Sequence, residues 1–326
     1  MEQNNQYIVS ADTIFARSTS FGKSGVCVFR ISGSKALDAV NRLLLKNEKI
    51  DLSSVKARYM YLRNIYKIGT CSDQGHANMP SLIDQVMIVY FNNGHSFTGE
   101  DVIEIHSHGS IAIIKIIIEQ LHSINYLRHA EAGEFTKRAF LNGKFDLTRA
   151  EGLGDLLEAQ TEFQHAQAIS QYSGILEQKY NSWRQDIIKI MSLIEAYIDF
   201  PDEDIDSEVI KISNNKISQI KDSIANHLND NNKGEKLRNG VKVAIVGRPN
   251  SGKSTLTNLI VGRDMAITSD IAGTTTDVME AYIDIGGYPI ILQDTAGIRT
   301  NSDSNIIEQI GIGKAKITPH YLNHHS

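Results

Sequence analysis

Short apolar segments separated by turn residues dominate the first 126 positions of the chain. Segments rich in β-branched residues predict strands, and they lie at 26–31, 85–91 and 101–106. Segments with apolar residues at helical spacing predict helices, and they lie at 35–45 and 111–121. The polar, turn-forming residues 69–76 predict a loop. Residues 1–126 are therefore expected to form an α+β domain.

From about residue 127 the apolar positions follow a helical period instead. Residues 133–144 predict a short helix that an Asn-Gly pair brings to an end. Longer helices are predicted from 147 or 148 through Phe163, over 174–199 and over 207–229. In the helix over 174–199 an apolar stripe predicts a core-facing side, with Trp183, Ile187, Ile190, Ile194 and Ile198 as its members. Residues 127–236 are therefore expected to form a helical domain.

A polar segment over 230–240 predicts a flexible linker to a third domain, residues 237–326. A β-branched strand at 241–246 precedes a glycine loop and a helix that continues to about 260. Residues 283–292 predict a β-hairpin. The fold class is therefore multidomain, α+β and α/β.

Composition narrows the class of protein. The 326 residues are 41% hydrophobic and 22% charged, with a formal net charge of −5, which is typical of a soluble globular protein and argues against general electrostatic coating of nucleic acid. Cys27 and Cys71 have no metal-binding or redox spacing and indicate a reducing compartment. The start of the chain has no signal-peptide pattern, and the apolar run 111–118 is too short to span a bilayer. We expect a cytoplasmic protein without a membrane partner.

The glycine loop has the sequence G-x-x-x-x-G-K-S, from Gly247 to Ser254. Between a strand and a helix this is the P-loop motif, whose backbone N–H groups hold the phosphates of a nucleotide. Lys253 is expected to reach the β- and γ-phosphates, and the Ser254 hydroxyl to bind Mg²⁺. The alternative is a ligand-free turn between a strand and a helix. The motif in this context favours a nucleoside triphosphate site.

Two further boxes follow the P-loop in the order found in GTPases. Residues 266–277 are rich in hydroxyl side chains, as expected of a first switch that supplies a threonine to Mg²⁺. Asp294 to Gly297 form a D-x-x-G box, whose aspartate acts on Mg²⁺ through water. An N-K-x-D box, which reads guanine, does not occur after Gly297. We therefore expect a nucleotide-binding domain that is shortened at its C-terminal end.

His106 and His108 at the end of a predicted strand are candidates for a metal site. The nearby sequence contains no further His or Cys cluster. Ordinary hydrogen-bonded histidines are therefore the favoured interpretation.

Several long segments resemble the tRNA-modification GTPase family MnmE, also called TrmE. They are Asp12 to Ile14, Arg30 to Gly33, Ser96 to Glu104, Gly133 to Lys144, Ile198 to Pro201, the GTPase boxes and Ile310 to Ile312. Thr276 departs from the pattern, because the family usually has arginine there. The family's C-terminal helices and its C-x-G-K motif are not present in this sequence.

The resemblance implies three modules: a dimerising, folate-binding N-terminal domain, a helical domain and a Ras-like G domain inserted into it. It implies a homodimer that joins the FAD-binding protein MnmG (GidA) in a heterotetramer and acts on tRNA. The implied reaction adds an aminomethyl or carboxymethylaminomethyl group at C5 of the wobble uridine. The implied ligands are GTP, Mg²⁺, K⁺ and 5-formyltetrahydrofolate or another tetrahydrofolate.

By position, the resemblance also implies roles for individual residues. The folate residues are Arg30, Glu104 and Lys144. The Mg²⁺ ligands are Ser254 and Thr275, and the K⁺ ligands are Asn250, Ser269, Ile271 and Thr274. Glu308 orients the attacking water, and Lys253 is the second catalytic residue. The GTP-binding residues are Asn250, Ser251, Gly252, Lys253, Ser254, Thr255, Ser269, Asp270, Ile271, Ala272, Gly273, Thr274, Thr275, Asp294, Thr295, Ala296 and Gly297.

Three functions remain as alternatives at this point. The first is a GTP hydrolase of tRNA wobble-uridine modification. The second is a shortened, non-hydrolysing remnant that keeps folate binding and dimerisation. For this exact chain we expect poor or no GTP turnover, and robust K⁺-stimulated hydrolysis would overturn that expectation. The third is another class of P-loop GTPase, such as one acting in ribosome assembly, which the first 200 residues argue against.

Overall fold

A computed structural model describes residues 12–68, 81–199, 208–229, 233–247, 251–261 and 280–294. The chain divides into two compact units, one of residues 1–154 with 171–181 and one of residues 155–170 with 182–326. The predicted loop at 69–76 lies outside the described residues. The three predicted domain boundaries stay predictions.

The elements of the first unit begin with β1 (Thr13–Arg17), β2 (Ser24–Ser32), α1 (Ala36–Asn41), β3 (Met60–Tyr66), β4 (Leu82–Phe91), β5 (Val102–Gly109), α2 (Ile111–His122), β6 (Leu127–His129) and α3 (Glu134–Leu141). The remaining elements are α4 (Leu147–Glu158), α5 (Glu162–Tyr172), α6 (Ile175–Asp199), α7 (Glu208–Leu228), α8 (Lys233–Asn239), β7 (Val241–Ile245), α9 (Lys253–Val261), β8 (Glu280–Ile285) and β9 (Tyr288–Asp294). The predicted strands at 26–31, 85–91 and 101–106 and the helix at 111–121 are confirmed.

A six-stranded sheet in the order β3-β4-β5-β2-β1-β6 forms the centre of the first unit. All its pairings are antiparallel except β1 with β6. Successive side chains of a strand point to opposite faces, so Phe29, Ile31, Ile103 and Ile105 on one face are buried in the core with Ile117 of α2. The residues between them, including Arg30 and Glu104, lie on the opposite face, which carries the candidate site.

The predicted end of α3 is confirmed. Asn142 is the C-cap residue, and Gly143 has φ +66°, a left-handed conformation that glycine adopts without strain. Lys144 N then donates to Ala139 O at 2.9 Å. The turn brings Lys144 back toward the sheet.

The prediction of one long helix from 147 through Phe163 is wrong, because α4 ends at Glu158 and α5 begins at Glu162. Thr161 Oγ1 accepts from Gln164 N at 3.3 Å, and Gln164 Oε1 accepts from Thr161 N at 3.1 Å. This reciprocal pair is a capping box, which starts a new helix. Its sequence signature, Thr161-x-x-Gln164, was present but not used.

The predicted core-facing stripe of α6 is only partly correct. Ile190 is buried, whereas Ile187, Ile194 and Ile198 are 44%, 43% and 67% exposed. Trp183 does join α6 to α7, because its Nε1 donates to Ser223 Oγ at 3.0 Å. The stripe is therefore largely exposed among the described residues.

The prediction of a flexible linker over 230–240 is also wrong in part, because residues 233–239 form α8. Beyond it, a three-stranded sheet has the order β7-β9-β8. Strand β7 is parallel to β9, and β8 is antiparallel to it, so the predicted strand and hairpin are confirmed. In the part of the chain described here, no helix is long and apolar enough to cross a membrane.

Candidate functional site

The first candidate site lies where β7 leads through the glycine loop into α9. Strand β7 ends at Ile245 and α9 begins at Lys253, as the P-loop interpretation predicts. Lys253 Nζ donates to Gly247 O at 2.9 Å, so the side chain reaches back across the loop. Gly252 has φ +82°, which favours glycine. The lysine is thus placed over the segment in which a phosphate is expected.

The sheet brings the end of β9 to the same place. In the parallel pairing Ile245 lies opposite Asp294, so the P-loop and the D-x-x-G box leave the sheet at the same edge. Ligands of open α/β sheets bind at the carboxyl ends of parallel strands. The topology therefore agrees with a nucleotide site at this edge.

Of the residues predicted for this site, Ser251, Gly252, Lys253 and Thr255 are described, and Ser254 and Asp294 are placed in α9 and β9. The others lie outside the described residues, namely Asn250, Ser269, Asp270, Ile271, Ala272, Gly273, Thr274, Thr275, Thr295, Ala296, Gly297 and Glu308. Their roles stay predictions.

The second candidate site lies on the face of the six-stranded sheet opposite the helices. Arg30 of β2 and Glu104 of β5 are directly opposite each other in the register. Arg30 Nε and Nη2 both donate to Glu104 Oε1, at 2.9 and 2.7 Å. The side chains are 30% and 16% exposed, so this charged pair is half-buried but open to a ligand.

Aromatic rings surround the guanidinium of Arg30. Its Cζ lies 5.8 Å from the ring centre of Phe97 and 5.9 Å from that of Phe135, within reach of a cation–π contact. Phe97 in turn contacts Phe145, with ring centres 5.8 Å apart. A planar ligand ring would find apolar surface beside a carboxylate here.

Lys144 is placed at the same loop but does not join the Arg30–Glu104 pair. Its Nζ donates to Gly94 O at 2.8 Å, and its Cδ lies 3.4 Å from a Cβ built on Gly99. Phe145, the next residue, contacts Phe97 of that loop. The structure therefore brings two of the three predicted folate residues into contact and places the third on the adjoining loop.

A buried network that the sequence analysis missed fixes this loop. Arg138 is 3% exposed and donates to Glu100 Oε2 and to Glu134 Oε1, both at 3.0 Å. Ser32 Oγ donates to Glu100 Oε2 at 2.7 Å and accepts from Thr98 Oγ1 at 2.7 Å. The network thus joins α3, β2 and the loop before β5. Only the spacing of Glu134 and Arg138, four residues apart in a helix, hinted at part of it.

The outermost carboxylate of this network is strongly acidic. Two donors of Arg128 bind Glu134 at 2.7 and 2.9 Å, and these bonds are the largest cause that lowers the pKa of Glu134 from 4.5 to about 2. Burial opposes the shift, while the N–H of Glu131 and the guanidinium of Arg138 add to it. The carboxylate is therefore ionised at any pH near neutrality.

His106 and His108 are hydrogen-bonded, as the sequence analysis favoured. His106 Nε2 lies 3.3 Å from Glu104 Oε2, and His108 Nδ1 lies 2.8 Å from Asp84 Oδ1. Among the described residues no group of three or more His, Cys, Asp and Glu side chains is arranged to hold a metal ion.

The strand, glycine loop and helix are the arrangement typical of a P-loop protein, and the charged, aromatic-lined sheet face is a second candidate site. Residues 13–144 match the family model described as "GTP-binding protein TrmE N-terminus", and residues 147–313 match the one described as "MnmE helical domain". The chain belongs to the MnmE (TrmE) family.

Relatives from Rickettsia support this assignment. The protein called tRNA modification GTPase MnmE from Rickettsia akari is 56% identical over 304 residues, and that from Rickettsia bellii is 54% identical over 304 residues. Each alignment covers 93% of this chain and 65% of the relative. The Rickettsia felis protein of the same name is 51% identical over 330 residues, and 67% of it is covered. The chain therefore spans about two thirds of the length of the curated relatives it matches.

Proposed function

We propose that this chain acts as a GTP hydrolase in the modification of the tRNA wobble uridine. The observation that carries the proposal is the placement of Lys253 and Asp294 at one edge of the β7–β9 pair, within a chain that matches relatives named tRNA modification GTPase. The proposed reaction adds an aminomethyl or carboxymethylaminomethyl group at C5 of the uridine. A shortened remnant that binds folate and dimerises without hydrolysis is the competing outcome of the test below.

In this proposal Lys253 binds the β- and γ-phosphates, and its present bond to the Gly247 carbonyl is exchanged for a phosphate oxygen. A phosphate oxygen carries negative charge and a backbone carbonyl does not, so the ammonium group binds the phosphate more strongly and the exchange favours the nucleotide. Ser254 and Thr275 are the proposed Mg²⁺ ligands, and Asn250, Ser269, Ile271 and Thr274 hold K⁺. Glu308 orients the attacking water. A cation at the phosphates supplies stabilisation of the developing charge.

The N-terminal sheet face is proposed to bind a tetrahydrofolate. The residues present fit this group: Glu104 offers an acceptor for N–H donors of a pterin edge, and Phe97 and Phe135 offer apolar surface for its ring. Arg30 is already hydrogen-bonded to Glu104, so Lys144 is the cation proposed to bind the glutamate tail of the folate. The cofactor supplies a one-carbon unit, while these side chains bind and orient it.

The proposed partners are a second copy of the chain, the FAD-binding protein MnmG and tRNA, in the cytoplasm. They rest on the family alone. No described contact identifies them.

Hydrolysis of GTP in KCl and in NaCl tests the proposal. Turnover that is several-fold faster in KCl than in NaCl, and that is lost in Lys253→Ala, would support the hydrolase. Leu259→Ala, a substitution in the same helix of a side chain that is 52% exposed, serves as the matched control for folding. Nucleotide binding without turnover in either salt would refute the hydrolase and favour the non-hydrolysing remnant.

Calorimetry with 5-formyltetrahydrofolate tests the N-terminal site separately. Glu104→Gln removes the charge but keeps the size, and a loss of about tenfold or more in affinity is expected for a lost charge-assisted bond. Unchanged affinity in Glu104→Gln would refute the folate assignment and leave the nucleotide assignment intact.

A further inference from the structure

The tip of the β8–β9 hairpin rests on Phe163 in the first turn of α5. Gly286 and Gly287 form the turn with φ +60° and +88°. A Cβ on Gly287 would lie 2.8 and 2.9 Å from Cδ2 and Cε2 of Phe163, so the ring lies directly against the backbone. The ring of Tyr288 meets Phe163 edge-on, with centres 4.7 Å apart. The turn therefore requires glycine at position 287 for its conformation and for the ring against it.

The same turn of α5 also holds the segment that leads into β7. Gln164 Nε2 donates to Arg238 O at 3.1 Å, and Gln167 Nε2 donates to Gly234 O at 3.2 Å. Arg238 Nε also pairs with Asp155 Oδ1 of α4 at 2.7 Å. Helix α8, which immediately precedes β7, is thus bound to α4 and α5. Two strands of the small sheet begin at points that α5 contacts.

These contacts lie at the edge of the sheet opposite the P-loop. Strand β9 runs from Tyr288 at the tip to Asp294 at the P-loop edge, a length of about 20 Å at about 3.3 Å per residue. The hairpin also connects the hydroxyl-rich segment before β8 with the D-x-x-G box after β9. The hairpin therefore has one end at the P-loop edge of the sheet and its tip against α5.

We propose that Phe163 is a positioning residue that seats the β8–β9 hairpin on α5 and couples nucleotide occupancy to the helices. The proposal rests on the proposed nucleotide function. Phe163 is 40% exposed, so its contact with the tip opens without opening a core. The hydrogen bonds of Gln164 and Gln167 keep the start of β7 in place when the tip moves. Strand β9 stays paired with β7, so the sheet moves as a unit about these bonds, and the Phe163 ring is the contact through which the hairpin tip acts on α5.

Trp183 provides the readout, because it is the single tryptophan of the chain. It lies in α6, where its indole meets the ring of His227 of α7 edge-on with centres 5.6 Å apart. We expect its emission to differ between the GDP-bound protein and the protein bound to a non-hydrolysable GTP analogue. Phe163→Ala should abolish this difference, while the affinity for a fluorescent GTP analogue stays within about threefold. Phe163→Leu, which keeps an apolar contact, should retain it.

Ile169→Ala is the matched control, because Ile169 lies on α5 and is 41% exposed, close to the exposure of Phe163. It should leave the difference in Trp183 emission unchanged. A difference that persists in Phe163→Ala, or that is absent from the unsubstituted protein although nucleotide binds, would overturn the coupling. Failure of the unsubstituted protein to bind nucleotide would instead refute the proposed function.

Hydrogen exchange tests the seating of the hairpin without any nucleotide. Amides of residues 280–294 should exchange about fivefold faster in Phe163→Ala than in Ile169→Ala, the change that loss of an aromatic contact of about 1 kcal/mol at the tip produces. Gly287→Ala, which forces the ring away, should have the same effect. Equal exchange in the Phe163 and Ile169 variants would refute the positioning role.

Discussion

Replacing Arg138 with methionine removes the cation at the centre of the buried network in the first unit. The side chain is 3% exposed, and its Nη1 also donates to Asp12 O at 2.9 Å. Methionine has a similar length and no charge, so the change removes ionic and hydrogen-bonding contacts with little loss of volume. The two carboxylates that face it then respond differently.

Glu134 keeps the two donors of Arg128, at 2.7 and 2.9 Å. Glu100 keeps its hydrogen bond from the Ser32 hydroxyl but loses Arg138, its cationic partner among the described residues. Removing one partner of a buried ion pair costs about 3–5 kcal/mol, because the remaining charge stays buried and uncompensated. We therefore expect Arg138→Met to lower the free energy of unfolding by about 3 kcal/mol, and most of that loss comes from Glu100.

A second substitution isolates this contribution. Glu100→Gln in the Arg138→Met background removes the uncompensated charge and should restore about 1–2 kcal/mol. Asp12→Asn is the contrast, since the Asp12–Arg128 pair joins side chains that are 49% and 40% exposed, where solvent can replace the contact. A cost of about 1 kcal/mol or less is expected there.

Native-state hydrogen exchange measured on peptides from β2 and β5 reports the stability of the sheet that the network supports. A cost below about 1 kcal/mol for Arg138→Met, or no recovery in the double variant, would show that the network does not stabilise the loop before β5 in the way argued.

Three further predictions follow from the same kind of contact. The pKa of Glu134 is lowered to about 2 in the folded protein, so ionised Glu134 contributes about 3 kcal/mol to the free energy of unfolding above pH 4.5, and this contribution is lost as pH falls toward 2. The free energy of unfolding measured across that range should fall with decreasing pH, and Glu134→Gln should make this fall less steep. Thr161→Ala breaks the capping box and should lower the stability of α5 by about 1 kcal/mol in urea unfolding, whereas Thr161→Ser should preserve it. Gly109→Ala should disrupt the end of β5, because the added Cβ would lie within 2.4 Å of the Ser24 carbonyl oxygen; unchanged thermal stability would contradict this.

The periodicity of the chain was sufficient to predict the longer elements but not their ends. The runs of β2, β4 and β5 could be predicted because they are rich in apolar and β-branched residues. Strand β6 was missed because it has three residues, too few for any period. The break between α4 and α5 was missed because the apolar spacing continues across it, while the capping hydrogen bonds that end one helix and begin the next involve polar side chains.

The exposed stripe of α6 shows a second limit of periodicity. Isoleucines at helical spacing indicate that a helix has an apolar face, but they do not indicate what covers it. Ile190 is buried, whereas Ile187 and Ile194 remain nearly half exposed among the described residues. Burial depends on the neighbouring elements, which the local sequence does not encode.

The pairing of Arg30 with Glu104 shows how the core determines the candidate site. The two residues are distant in sequence, and nothing in their local patterns predicts that they meet. The register of β2 against β5 is fixed by Phe29, Ile31, Ile103 and Ile105, which must all face the core. A slip of one residue would turn every side chain of a strand to the other face and bury the carboxylate of Glu104. Because burying an unpaired charge is costly, the apolar residues of the core also enforce the charged pair on the opposite face.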